Sequence, residues 1–241
     1  VLERYEERYP DFGPTLASEY LATENLAVDH ETLRRWLLEA RLWTKTRKRQ
    51  KHRQWRERRA YRGELIQMDG SHHEWFEGRR EGAVLRVMID DATNRTMARL
   101  YEAEDTRAAM DLFGRYARRY GLPQALYVDH DSIYECTRQA RIDEELRGQR
   151  PQTQFERAMK TLGVTVIPAN SPQAKGRVER RNGVFQDRLV KAMRLETIAT
   201  IEAANRYLDD RFLPELNRRF SVQARGRGDL HRPIPMGLPL R

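Results

Sequence analysis

The sequence predicts a mixed α/β sheet covered by helices and preceded by a small all-α module, on three observations. Residues 64–101 hold short runs rich in Val, Ile, Leu and Met, punctuated by Gly and Asn, which is the pattern of three successive strands. After them, helical and strand patterns alternate as far as Phe212. Ahead of them, the first forty residues carry two stretches of helical spacing and nothing that reads as a strand. A length of 241 residues suits one catalytic-sized core plus a smaller module.

The element order begins with two helices, Leu16 to Glu24 and His30 to Ala40, joined by a short segment from Asn25 to Asp29. In the second, Leu33, Trp36 and Leu37 recur at helical spacing and face a core, while Arg34 and Arg35 lie off that stripe. Asp29 is placed as its N-cap. This is the outline of a helix-turn-helix, whose second helix would present Arg34 and Arg35 to a DNA groove; an ordinary helical hairpin has the same spacing. Lys45 to Arg59 then holds nine Lys or Arg against one acid, Glu57. No core absorbs that charge. It is either a solvated linker or a segment that tracks a phosphate backbone, with Lys45, Arg47, Lys48, Arg49, Lys51 and Arg53 as the contacts.

Beyond the three strands, Thr106 to Tyr120 is helical, with Ala109, Leu112, Phe113 and Tyr116 as its apolar stripe and Gly121 and Pro123 closing it. ALYVDHD reads as a strand, Gln154 to Leu162 as a helix, VTVIPAN as a strand, Lys175 to Met193 as a long helix and Ile201 to Phe212 as the last one. The tail after Phe212 has Gly, Pro and Arg but little periodicity, and reads as an extended arm. The resulting division is 1–43 helix-turn-helix module, 44–62 basic linker, 63–213 core and 214–241 C-terminal arm.

Composition narrows the function. Forty-five Lys and Arg against 36 acids give a formal charge of +9, which favours a polyanionic partner, nucleic acid first. No apolar run approaches the roughly 20 residues of a membrane-spanning helix. One cysteine, Cys136, and six scattered histidines exclude an internal disulfide and make no zinc pattern. The opening residues VLERYEERYPDF lack both the apolar core of a signal peptide and an initiator Met, so the expectation is a sequence that begins inside a longer protein.

Three carboxylates fall at informative places. Asp69 interrupts the first strand after an apolar approach, Asp129 ends the fourth, and Glu179 opens the long helix, where its side chain can reach back over the sheet. Buried carboxylates are costly unless paired or metal-bound, and hard oxygen ligands with few histidines suit magnesium or manganese. Each acid alone has a structural reading, as a turn residue, a cap and a surface pair with Arg180. Together, QMDGS, LYVDHDSIY and NSPQAKGRVERRNG resemble the three acid-bearing blocks of DDE transposases of bacterial insertion sequences and of the retroviral integrase catalytic core, over Gln67 to about Asn217. That resemblance implies an RNase H-like fold with Asp69, Asp129 and Glu179 as catalytic residues and ligands of two Mg²⁺ or Mn²⁺ ions per site. It implies cleavage at transposon ends followed by strand transfer into target DNA, by an oligomer on double-stranded DNA in the bacterial cytoplasm, at the nucleoid. Lys175, Arg177, Arg180 and Arg181, flanking the glutamate, become the phosphate contacts. Asp90 and Asp91, next to the second strand, are expected to be structural. The 49 residues between Asp129 and Glu179 exceed the family's common spacing, so Tyr134 to Pro151 looks like an insertion. A cleavage-only nuclease of the same fold and a DNA-binding regulator with an inactive core are the competing readings.

Overall fold

A computed structural model describes residues 1–44, 56–139, 145–146, 148, 150–169, 176–235 and 237. The chain divides into two compact units, Val1–His52 and Arg53–Arg241.

The first unit holds three helices, α1 (Leu2–Arg8), α2 (Pro14–Thr23) and α3 (His30–Glu39). Tyr5, Tyr9, Phe12, Leu16, Leu21, Leu33 and Leu37 are buried and form its core. Asn25, with φ of 63°, turns the chain out of α2: its own amide bonds Ala22 O and that of Leu26 bonds Leu21 O. This is a Schellman closure with Asn in the left-handed position that only Gly and Asn adopt readily. Asp29 caps α3 as expected, accepting from the amides of Glu31 and Thr32 at 2.9 and 3.2 Å. Helix α1 does not show in the sequence, since the seven residues LERYEER have no apolar stripe; burial of Tyr5 and Tyr9 and the bonds of Arg4 and Arg8 to Glu24 hold it.

In the second unit, β1 (Ile66–His72), β2 (Val84–Asp90) and β3 (Thr96–Tyr101) form an antiparallel meander, and β4 (Ala125–Val128) and β5 (Thr165–Pro168) extend it in parallel, giving the order β3-β2-β1-β4-β5. Strand alternation splits the core. Ile66, Met68, Met88, Leu126 and Val128 pack on one face against α4 (Thr106–Tyr120) and α5 (Gln154–Thr161). Leu85, Val87 and Ile89 pack on the other face against α6 (Gly176–Leu195), α7 (Ile201–Tyr207) and α8 (Leu213–Phe220). Helix α4 has the bounds expected of it, set by the Asp105 side chain, which accepts from the Ala108 amide at 2.7 Å, and by Gly121 at φ of 95°.

Past Phe212 the chain departs from the expected arm. One π-helical turn, Leu208–Phe212, leads straight into α8, because Pro214 stands in the first helical turn, where its missing N–H costs nothing. The following segment is extended but pinned to the core: Val222 N bonds Thr93 O, Gly226 N bonds Ala60 O, Leu230 N bonds Arg62 O, and Arg232 pairs with Leu122 in both directions. Among the described residues, no helix is long and apolar enough to cross a membrane.

Candidate active site

The two aspartates are brought level by strand register. β1 and β4 run parallel with Ile66 opposite Leu126 and Gln67 opposite Tyr127. Two steps further along both strands stand Asp69 and Asp129, the latter immediately after β4 ends. Their parity puts both carboxylates on the face that carries α6, on backbones about 5 Å apart in the sheet. Both are half-buried.

Helix α6 then tracks β1 residue by residue. The Val178 amide donates to Gln67 Oε1 at 3.1 Å, Asn182 Nδ2 to Asp69 Oδ2 at 2.9 Å, and Gln186 Nε2 to Ser71 Oγ at 3.1 Å. Every fourth helix residue meets every second strand residue, because about 6 Å of helix rise matches about 6.6 Å of strand. Glu179 stands one turn before Asn182 on the same side of the helix and is exposed. An amide donor orients Asp69 without neutralising it. The three carboxylates are hard oxygen donors suited to Mg²⁺ or Mn²⁺, although among the described residues no three acid, His or Cys side chains are drawn tightly enough together to hold an ion as they stand.

The opposite face of the sheet supports the same spot. Arg86 on β2 is paired with Gly70 on β1 and is fully buried. Its guanidinium donates to Glu104 Oε1 at 2.6 Å and to the Tyr134 hydroxyl, and lies 5.6 Å from the Tyr134 ring. Glu104 passes over Gly70 so closely that a Cβ there would overlap its carboxylate, and its other oxygen meets His72 Nε2 at 2.7 Å. Burial pushes the Tyr134 hydroxyl far above its ordinary pKa; Arg86 opposes this, and the negative charges of Asp129, Glu104 and Asp69 add to it. Asp131 is used locally, its carboxylate accepting from Ile133 N at 2.8 Å.

The arginines of α6 separate by helix phase. Arg180 is exposed beside Glu179, and its pKa is lowered by burial of its stem and by the neighbouring charge of Arg58. Arg177 turns inward to Asp91 at 2.9 Å. Arg181 is buried against the Phe220 ring, 5.3 Å away, and burial pulls its pKa down to about 10. Arg177 and Arg181 were expected at phosphates; their side chains instead serve the packing of α6. Arg58, inside a uniformly basic run of the sequence, is a charge close enough to act on both Arg180 and Arg177. In the first unit Arg35 is exposed and Arg34 pairs with Glu31 at 2.7 and 2.8 Å. Lys45, Arg47, Lys48, Arg49, Lys51, Arg53 and Lys175 lie outside the described residues.

A protein of Sinorhizobium fredii named "Putative transposase y4bF" is 42% identical over 230 residues, covering 95% of this chain and 49% of that protein. The transposase for insertion sequence IS1202 of Streptococcus pneumoniae is 34% identical over 156 residues, covering 64% of this chain and 32% of its own length. The chain is a homologue of bacterial transposases. It spans about half the length of the first of these relatives and about a third of the second. Among solved structures, a chain of the simian T-cell lymphotropic virus intasome, determined with PP2A regulatory subunit B56 gamma, superposes with a TM-score of 0.55 at 16% identity over 92% of this chain and 74% of that one. The transposase homologue therefore shares its fold with that intasome chain, a mixed sheet flanked by helices as expected from its element order. No protein-family model matches it.

Proposed function

We propose that the chain is the catalytic part of a DNA transposase, cleaving DNA at transposon ends and joining the freed end to target DNA by metal-dependent phosphoryl transfer. The observation that carries this reading is the level placement of Asp69 and Asp129 on neighbouring parallel strands, beneath the helix that bears Glu179. The transposase homologues supply the reaction class.

In this reading Asp69, Asp129 and Glu179 hold two divalent ions, Mg²⁺ or Mn²⁺. Such ions lower the pKa of water and stabilise the departing oxygen of an in-line displacement. The residues of the chain do the rest. Asn182 fixes the rotamer of Asp69. Gln67 receives the amide of Val178 and so sets the entry of α6, which determines where Glu179 stands. Arg180 and Arg58 offer positive charge to the phosphates flanking the reacting one. The first unit, through Arg34 and Arg35, and the basic linker are assigned to double-stranded DNA at the transposon ends. Pairing two ends calls for an oligomer, and the partner places the protein at the nucleoid.

The test is incubation with Mg²⁺ or Mn²⁺ and labelled duplexes carrying the element's ends, alongside Asp129→Asn and Glu179→Gln. Metal-dependent nicking and joined products, lost in both variants while DNA binding persists, is the expected result. Binding with no cleavage by the unmodified protein would make it a DNA-binding regulator, and nicking without joined products a cleavage-only nuclease.

A further inference from the structure

Tyr120, the last residue of α4, has three guanidiniums around one ring: Arg62 at 5.4 Å, Arg119 at 5.5 Å and Arg95 at 5.7 Å from its centroid. They come from three places. Arg62 precedes β1, Arg95 sits in the β2–β3 turn, and Arg119 belongs to the last turn of α4. Each has its own reason to be there. Asp90 bonds the amide and hydroxyl of Thr93 at 2.8 and 2.9 Å, and Asn94 takes φ of 61°, so the turn presents Arg95 outward. The pinned tail holds Arg62 through Asp229 at 3.0 Å. Tyr120 is itself packed against Tyr116, the ring centroids 5.0 Å apart.

Basic residues at the end of a helix offset its dipole, which accounts for Arg118 and Arg119. It does not account for Arg62 and Arg95, which arrive from other elements onto the same ring. Arg95 and Arg119 are exposed and have no acidic partner among the described residues, and Asp229 is paired with Arg62 alone of the three. Three converging cations with one acid between them leave an unbalanced positive patch whose complement is a polyanion. An aromatic face already covered by guanidiniums offers nothing to a stacking base, so the ligand is the phosphate backbone.

The patch lies toward the other end of the strands from the carboxylates. The β2–β3 turn adjoins the N-terminal end of β1, where Ile66 pairs with Asp90, and α4 leads into the N-terminal end of β4. Asp129 follows the opposite end of β4. We infer that Arg62, Arg95 and Arg119 on Tyr120 form a second DNA-backbone site, holding a stretch of duplex other than the one whose phosphate reacts. This rests on the DNA reading above.

The experiment measures binding of the full chain to a duplex of about 30 base pairs without transposon-end sequence, over roughly 50 to 200 mM salt. Arg95→Gln with Arg119→Gln removes two exposed charges and disturbs no ion pair, and thermal melting checks that the fold is kept. Each phosphate contact adds about 0.9 to the slope of log affinity against log salt, so the double variant should lose about 2 from that slope and bind about tenfold more weakly at low salt. In hydrogen exchange, duplex should protect the amides of the β2–β3 turn in the unmodified protein and not in the variant. Unchanged slope and affinity in a folded double variant, with the unmodified protein binding normally, overturns the second site and leaves the transposase reading standing. Failure of the unmodified protein to bind any duplex overturns both.

Discussion

Asp91 accepts from Arg177 at 2.9 Å, and that bond ties the turn after β2 to the first turn of the helix carrying Glu179. Asp91 is fully buried and also accepts from Gln67 Nε2 at 2.6 Å, from the Arg59 amide at 2.8 Å and from the Arg56 guanidinium. Gln67 in turn receives the Val178 amide. One carboxylate therefore gathers the end of the basic segment, strand β1 and helix α6. Removing it strands Arg177 as a buried cation whose pKa burial already lowers and Asp91 opposes. Asp91→Ala should cost about 3–5 kcal/mol of stability, as for other broken buried ion pairs. Asp91→Asn should cost less, since it keeps one acceptor. Denaturant unfolding of the two variants checks the order; equal losses would show that the charge alone matters there and that the retained acceptor contributes nothing.

A second prediction follows from Gly70. The sheet face under the carboxylates has no room for a side chain at this position, because Glu104 crosses it on its way to Arg86 and His72. Gly70→Ala should displace Glu104, leave the buried Arg86 guanidinium short of its anion and destabilise the core by about 1–3 kcal/mol. Glu104→Gln in the Gly70→Ala background should add little further loss if the mechanism is right. A full additive loss in the denaturation series would point elsewhere.

How much of this was legible in the sequence depends on whether the signal was local. Helix α4 could be read to the residue because its cap, stripe and closing glycine all lie within it. Asp69 and Asp129 stood out because apolar runs lead into each. Arg86, Glu104 and Tyr134 did not, since only the pairing of Gly70 with Arg86 and the crossing of the chain after β3 bring them beneath the aspartates. Arg177, Arg180 and Arg181 look alike in the sequence, yet helix phase sends only Arg180 outward. Helix α8 was hidden by Pro214, a breaker anywhere but in the first turn.

Asn182 offers a test of how strongly Asp69 must be oriented. Its amide donates to Asp69 across the groove at 2.9 Å, and the Asn182 side chain lies under the helix rather than in solvent. Residues that hold a metal ligand's rotamer typically cost 10–100-fold in metal affinity or activity when removed. Asn182→Ala should therefore raise the Mg²⁺ concentration needed for half-maximal cleavage by about 10-fold or more, while melting shifts little. Asn182→Asp, which sets a negative charge against Asp69, should lose affinity for duplex near the site and recover partly at high Mg²⁺. An unchanged metal requirement in Asn182→Ala would remove this residue from the site.

The first unit carries its own titration. Glu24 at the end of α2 accepts from Arg4 at 2.6 and 3.2 Å, from Tyr9 Oη at 2.7 Å and from Arg8 at 3.1 Å. These bonds, that of Arg4 foremost, hold its pKa down at about 2, against 4.5 for an ordinary glutamate. A carboxylate whose folded pKa is depressed stabilises the fold fully above its unfolded pKa and loses that contribution as pH falls toward the folded one. The pH window is therefore 4.5 down to about 2. Because the site is open to solvent, the gain is screened and should fall with added salt. Glu24→Gln should melt the helices of the first unit earlier than the unmodified chain at neutral pH, and the gap should close across that window. Amide exchange in α1 and α2, followed by NMR at several pH values, reads this directly; a gap that stays constant down to pH of about 2 would mean that the glutamate contributes by packing and not by charge.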